Sequence, residues 1–432
     1  MYTGLLTSVL FNAEHDTFRE TVRRFVDKAV LPNIDAWEEA ETFPRALYRE
    51  AAELGLLGIG FPEEYGGTPG DLFLELAMIE ELTRAASGGL LASLFSHTIG
   101  APPIVAGGSA ELKARVLPDI LSGEKISALA ITEPSGGSDV ANLTTRAVRD
   151  GGYYIVNGSK IFITSGMRAD YITVAVRTGG PGAGGISVLL VDGDTPGLSR
   201  TPLKKMGWWC SDTAQLHFDN CRVPVGNLLG AENRGFELVM RNFNHERLAL
   251  AMQAYGLART CLNEAVEWAS QRETFGKRLV QHQVVRQKLV AMATRIEATR
   301  ALLEDLMRRM QAGDSPVAQL CMLKNFATQS LQFCADTAVQ LLGGMGFMRG
   351  TKSERIYREV KVYMIGGGAE EGGQLPHLAL QREIGDEIFD LRAGNLDTDA
   401  AFGLLTTLLR SPDSDHLRVL TSQLTGGGIS NS

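Results

Sequence analysis

Several stretches of this chain bring polar groups together at spacings that plain scaffolding does not require. Residues 130–140 (AITEPSGGSDV) set Thr132 and a Pro134-Ser135-Gly136-Gly137 turn ahead of Ser138 and Asp139. Free backbone N–H groups, a hydroxyl and no bulky side chain across the turn suit a planar polar cofactor or a phosphate; an ordinary turn reads the same way. Residues 154–166 (YIVNGSKIFITSG) alternate as a strand, break at Asn157-Gly158 and resume before Thr164-Ser165-Gly166. Asn-Gly between two such runs signals a hairpin, which would bring Thr132 and Thr164 to strand ends in one β-region. Residues 272–283 (RETFGKRLVQHQ) interrupt a helical pattern at Phe275-Gly276 and carry Arg272 and Gln283, suited to phosphate and amide contacts; a helix–helix turn is the alternative. Residues 340–347 (QLLGGMGF) put Gly343, Gly344 and Gly346 after a helix, where backbone can approach a ligand or simply cap the helix.

The elements that must hold these groups change period twice. Up to about residue 122 the pattern is helical, with Phe18, Val22, Phe25 and Val26 on one face and Leu47, Ala51 and Leu54 on another. Residues 126–225 shorten to strands, among them 172–176, 186–191 and 215–218, which predicts a β-barrel or sandwich. From residue 236 long helical runs return, including 248–271 and 281–310, and Pro316 restarts one that continues toward Leu342. Helices, a β-domain and a helical bundle form a segregated architecture. The expected domains are 1–125, 126–235 and 236–385, with a C-terminal extension over 386–432.

The 432 residues, 44% hydrophobic and 21% charged, exceed the size at which one core stops growing, so two or three domains are expected. A net charge of −8 argues against nucleic acid as a partner. The N-terminus lacks a signal-peptide pattern, and no run approaches the roughly 18 apolar residues of a membrane span, so a cytoplasmic protein is expected. Cys210, Cys221, Cys261, Cys321 and Cys334 show no metal spacing and read as free, packed thiols.

In wording and order the four stretches resemble the acyl-CoA dehydrogenase family over residues 13–383. The resemblance implies an N-terminal helical domain, a central β-domain and a C-terminal four-helix bundle that bind FAD. It implies that Thr132, Ser138, Phe162 and Thr164 line the flavin, with Ser138 also near substrate and Phe162 where many members carry tryptophan. Arg272, Phe275 and Gln283 match the segment that reaches the FAD pyrophosphate of a neighbouring subunit, which implies a homo-oligomer, tetramer or dimer. Gln340, Gly343 and Gly344 match the stretch along the adenosine half, and Ala369 and Glu371 fall on further cofactor-contacting positions. Gly350 departs from the family pattern, in which an acidic or amide residue is usual.

The implied reaction removes hydrogen from Cα and Cβ of an acyl-CoA thioester, with a carboxylate taking the Cα proton and the flavin the Cβ hydride. That carboxylate needs a pKa raised by a dry pocket. Most members carry it in a segment like Y-E-G-T, and alignment from the helix puts Gly367 there. A minority, isovaleryl-CoA and long-chain dehydrogenases among them, place it in a segment like L-E-R-L, which Asn244-His245-Glu246-Arg247-Leu248 resembles. Glu246 is therefore the expected base, with Asn244, Arg247 and Gly367 beside the thioester. A helix N-terminal acid is the alternative reading of Glu246, and Glu370 or Glu371 are alternative bases. Branched, terpenoid or long acyl groups fit a glycine wall, and an electron-transfer flavoprotein is the implied acceptor. An acyl carrier protein substrate, an oxidase, a flavin monooxygenase and a non-catalytic flavoprotein stay open at this point.

Overall fold

The computed structural model describes residues 11–370. Glu371 and residues 386–432 lie outside the described residues. Before the sheet run α1 (Ala13–Phe25), α2 (Ile34–Glu39), α3 (Ala46–Glu53), α4 (Leu72–Leu82), α5 (Gly88–Leu94), α6 (His97–Gly100), α7 (Pro102–Gly107) and α8 (Ala110–Leu121). Asn12 starts α1 by accepting from the Glu14 and His15 amides at 2.9 and 3.0 Å. Asp71 caps α4 through the Leu74 amide and also meets His15 Nε2 at 3.0 Å, so one side chain both starts α4 and joins it to α1.

The sheet contains β1 (Ser127–Ala130), β2 (Arg146–Asp150), β3 (Tyr153–Thr164), β4 (Tyr171–Arg177), β5 (Ile186–Asp192), β6 (Leu198–Pro202), β7 (Thr213–Pro224) and β8 (Leu228–Leu229). Its order is β6-β7-β3-β2-β4-β5-β8, with β1 parallel to β4. The run YITVAV in β4 is buried throughout because both faces are covered, and the Thr173 hydroxyl within it donates to Gly100 O at 2.6 Å. Ile172, Val174 and Val176 enter the core within the sheet domain, whereas Tyr171 and Ala175 pack with Val116, Leu117 and Ile120 of α8.

Asn157-Gly158 is not the hairpin turn that its sequence predicts. It lies inside the single strand β3, at a register shift between Val156 and Gly158, and the chain reverses earlier at Gly151-Gly152. The reason is β7, which runs the full length of β3; the Asn157 side chain pairs with Asn220, accepting from its amide at 2.8 Å. Gly158 has φ +144°, and a Cβ there would lie 2.7 Å from Thr145 Cα. Glycine is present because β2 passes too close for a side chain, not because the chain turns.

The C-terminal part is α9 (Gly235–Gln271), a short ribbon of β9 (Glu273–Thr274) and β10 (Lys277–Arg278), α10 (Gln283–Gln311), α11 (Val317–Leu342), α12 (Gly344–Phe347) and α13 (Lys352–Ile365). The four long helices α9, α10, α11 and α13 share one core, which also takes Phe73, Leu76 and Ile79 from α4. Helix α9 begins at Gly235, one residue before the helical pattern read from residue 236. Val239 of its first turns is buried, Phe236, Leu238, Met240 and Phe243 pack against the same core as α8, and Asn242 Nδ2 donates to Ile99 O at 2.8 Å. Phe275 and Gly276, at φ +52° and +74°, make the two-residue bend between β9 and β10, so the expected helix–helix turn is a small antiparallel ribbon.

The two readings of Gly158 make different predictions for alanine. Gly158→Ala should destabilise the folded protein by roughly 2–4 kcal/mol, from backbone strain plus the clash with Thr145. Gly180→Ala, where a Cβ meets nothing within 4 Å, should be nearly neutral. Thermal unfolding followed by circular dichroism checks the pair, and equal midpoints would contradict the close-approach account.

Candidate active site

The 130–140 and 154–166 stretches are joined by a buried ion pair. Lys160 Nζ donates to Glu133 Oε1 at 2.8 Å and to Ile131 O at 2.9 Å. The Glu133 carboxylate also accepts from the Thr144 amide and hydroxyl, each at 2.6 Å, and from the Thr145 amide at 2.8 Å. Burial alone would push the Glu133 carboxyl up. The Lys160 charge and the threonine hydrogen bonds outweigh that and hold it down at about 2. Burial draws Lys160 down to about 8 against the pull of Glu133, so both groups are charged at neutral pH.

This clamp fixes Thr132 beside β3, where the Ile161 amide donates to Thr132 O at 2.9 Å. Glu133 and Gly136 exchange backbone hydrogen bonds at 3.1 Å, folding Pro134-Ser135 into a tight turn and leaving Ser135, Gly136, Gly137 and Ser138 exposed. A cavity of about 170 Å³ opens along this loop, lined by Thr132, Ser135, Gly136, Gly137 and Thr144 among others. Next to Ile161, Phe162 is 66% exposed at φ +63°, and Thr164 pairs with Thr213 at the end of β3. An exposed aromatic face beside a loop of small residues with uncovered backbone is a cradle for a flat polar ring.

A second group forms where α9 meets the loop after α13. Glu246 lies about three turns inside α9, so it is not the helix N-terminal acid that the sequence allowed. Its Oε2 is buried without a hydrogen-bond partner. Burial pushes the carboxyl up to about 7, even though Arg247, Lys324 and His245 all pull it down. A Cβ on Gly367 would lie 3.9 Å from Glu246 Cδ. The two positions from which the sequence could supply a base therefore converge on one spot. Arg247 Nε donates to Gly367 O at 3.2 Å and Arg247 Nη1 to Asn244 Oδ1 at 2.9 Å, which gathers Asn244, Glu246, Arg247 and Gly367. His245 turns to Glu75 of α4, Nε2 to Oε1 3.4 Å, a pairing that raises its pKa. Glu370 Oε1 accepts from Thr328 Oγ1 at 3.3 Å and its carbonyl from Asn325 Nδ2 at 3.1 Å, so its carboxylate is engaged by α11.

The sequence matches the acyl-CoA dehydrogenase N-terminal domain over residues 12–124, the middle domain over 128–221 and the C-terminal domain over 233–379. The chain belongs to the acyl-CoA dehydrogenase family. An acyl-CoA dehydrogenase of Bacillus subtilis (strain 168) is 39% identical over 362 residues, 83% of this chain and 95% of the relative. A crystal structure of an acyl-CoA dehydrogenase from Mycobacterium smegmatis superposes with a TM-score of 0.85 at 46% identity, covering 88% of this chain and all of the other. A glutaryl-CoA dehydrogenase from the same organism, in complex with FADH2, gives 0.80 at 30% identity, covering 85% and 94%.

As an acyl-CoA dehydrogenase, the protein is an oxidoreductase acting on acyl-CoA, with FAD as its cofactor. At the cradle, a Cβ on Gly136 would meet nothing within 4 Å and one on Gly137 would touch only Thr132 Cγ2 at 3.4 Å, which leaves room for a flat ring over the loop. The remaining family positions are spread over the helical domain. Arg272 caps α9, Phe275 is 97% exposed, Gln283 opens α10, and Gln340, Gly343 and Gly344 end α11 on exposed surface, with Gly343 at φ +63°. Ala369 is half-buried beside Glu370. Glu133, Lys160, Lys324 and Leu250 were not singled out in the sequence. For Lys160 the available signal was a lysine on the inward phase of an alternating strand, which asks for a buried acid.

Glu133→Gln should leave Lys160 buried without its counter-charge and destabilise the protein by about 3–5 kcal/mol. A carboxyl held at about 2 against an ordinary 4.5 contributes stability that is present above 4.5 and lost as pH falls toward 2. The acid-side fall in melting temperature should therefore be shallower in the variant. Unfolding followed by flavin fluorescence checks this, and a wild-type acid profile in Glu133→Gln would remove the pair from its clamping role.

Proposed function

We propose that the protein oxidises an acyl-CoA thioester to the trans-2-enoyl thioester, with Glu246 as the base that removes the Cα proton. The observation that carries this reading is a carboxylate oxygen that is buried, unpartnered and part of a group poised near pH 7. FAD, held by the Thr132–Thr164 cradle, supplies the acceptor for the Cβ hydride.

The chain's own residues account for the rest. A Cα proton is weakly acidic, so a base is most effective when its pKa sits near the working pH, and burial brings Glu246 there. Arg247 and Asn244 support the thioester end, Arg247 being fixed through Gly367 O. Gly366, Gly367 and Gly368 present no side chain toward Cα and Cβ, which favours branched, terpenoid or long acyl groups. Ser138 is read, by its place in the family motif, as a contact to both substrate and flavin. Arg272, Phe275 and Gln283, exposed in one chain, are read as contacts to the FAD of a neighbouring subunit, with Gln340, Gly343 and Gly344 along the adenosine half. That reading implies a homodimer or homotetramer, and it gives exposed Phe275, Val284 and Phe347 a covering surface. An electron-transfer flavoprotein is the proposed acceptor.

Anaerobic mixing of the holoprotein with a panel of acyl-CoAs should bleach the flavin, fastest with the true acyl class. Glu246→Gln should keep FAD bound while bleaching slows by about 10²–10⁴-fold; retained bleaching would move the base to Glu370 or its neighbour. The same variant tests the pKa independently of turnover. A carboxyl raised from 4.5 to about 7 binds its proton more tightly when folded, so stability falls as pH rises from 4.5 through 7. Glu246→Gln should therefore be more stable than wild type above pH 7, by roughly 2 kcal/mol, and the gain should vanish near pH 4. Melting temperatures across that range decide it, and a pH-independent difference would contradict the dry-carboxyl account.

A further inference from the structure

Lys324 of α11 is 2% exposed, a costly place for an ammonium, and its partners explain it. Nζ donates to Met364 O at 2.9 Å and to Gly368 O at 2.8 Å, carbonyls that bracket Gly366-Gly367. Met364 lies in the last turn of α13, where carbonyls lack intrahelical partners. From the other side Arg247 Nε takes Gly367 O. The glycine loop is thus pinned between two cations, with Gly367 and Gly368 at φ +64° and +102°. Glu246 faces that loop, 3.9 Å from the missing Gly367 Cβ.

We propose that Lys324 is a positioning residue for the Glu246 base: it fixes the glycine loop against the carboxylate and keeps a positive charge behind it. This rests on the reading of Glu246 as the base. The charged groups around Glu246 are Arg247 and His245 on α9, Glu75 of α4 through His245, Lys324 on α11, and Glu370 through Lys324. His245 is tied to Glu75 and Arg247 divides its donors between Asn244 and Gly367 O, whereas Lys324 gives two hydrogen bonds to the wall that the carboxylate faces. Burial draws Lys324 down to about 8, with Glu370 the chief opposing charge and Glu246 a lesser one, so it is cationic at neutral pH. A cation there favours the ionised carboxylate, and its removal should shift Glu246 toward the protonated form.

The test uses Lys324→Gln, which removes the charge, and Lys324→Arg, which keeps it. FAD content is measured first, then the pH profile of anaerobic bleaching by the best acyl-CoA. Lys324→Gln should move the acid limb up by about one pH unit, so that bleaching slows about 10-fold below neutrality and recovers toward wild type in alkali. Lys324→Arg should keep the limb within about 0.3 unit. A uniform loss of rate with an unmoved limb in Lys324→Gln means packing alone and overturns the proposal. If Lys324→Gln does not accumulate as a flavoprotein, Lys324→Arg decides: an unmoved limb supports the role of charge, and a limb raised by a full unit overturns it. Failure of Glu246 itself is separate, since Glu246→Gln would then still bleach.

Discussion

The buried pair between Glu133 and Lys160 is the contact on which the proposed flavin cradle depends. It ties a loop after β1 to β3, adding a side-chain link to the backbone hydrogen bond between Ile161 and Thr132. Thr132, Phe162 and Thr164 keep their mutual placement because the loop cannot lift without stripping the buried Lys160 ammonium of Ile131 O and the Glu133 carboxylate. Replacing such a pair by apolar residues often costs little, whereas breaking it by removing one partner costs several kcal/mol. Its contribution is thus to specify one loop conformation more than to add net stability.

Glu133 and Glu246 are both buried acids, and their environments push them in opposite directions. Glu133 receives a lysine, two amides and a hydroxyl, so its charge is fully met and it titrates near 2. Glu246 has cations nearby but one oxygen that receives no hydrogen bond, so desolvation prevails and it titrates near 7. Proximity of positive charge is common to both, and hydrogen-bond donors make the difference. A carboxylate already saturated with donors is a poor proton acceptor, which is why the fully satisfied acid suits scaffolding and the unsatisfied one suits catalysis.

Much of this arrangement was legible before the fold was seen. The change from period 3.6 to period 2 and back located the three parts, and the glycine-bearing motifs located the cradle and the helix ends. Asn157-Gly158 misled because a turn signal and a bulge signal are the same dipeptide. Only the partner strand decides between them, and β7 continues alongside β3 past the dipeptide with a register shift and no reversal. The start of α9 was legible to within one residue, because Phe236, Leu238, Val239, Met240 and Phe243 give its first turns an apolar face that packs on another element. Lys160 and Lys324 carry no local signature beyond a charge in an apolar phase; their partners lie 27 and about 40 residues away and appear only when the chain is folded.

Position 367 shows why a carboxylate stands at this spot from one element and not from both. Gly367 is held at φ +64°, and a Cβ there would come within 2.7 Å of Leu250 Cδ1. Leu250 lies one turn beyond Glu246 on the same face of α9, so the helix that supplies the carboxylate also fills the space a side chain at 367 would need. Glycine is therefore favoured here, chiefly by the positive φ and further by the Leu250 side chain. An acid at 367 would need Leu250 to shift and the loop backbone to leave that φ. Both changes would disturb the carbonyls that Arg247 and Lys324 now hold, and with them the setting that keeps Glu246 dry.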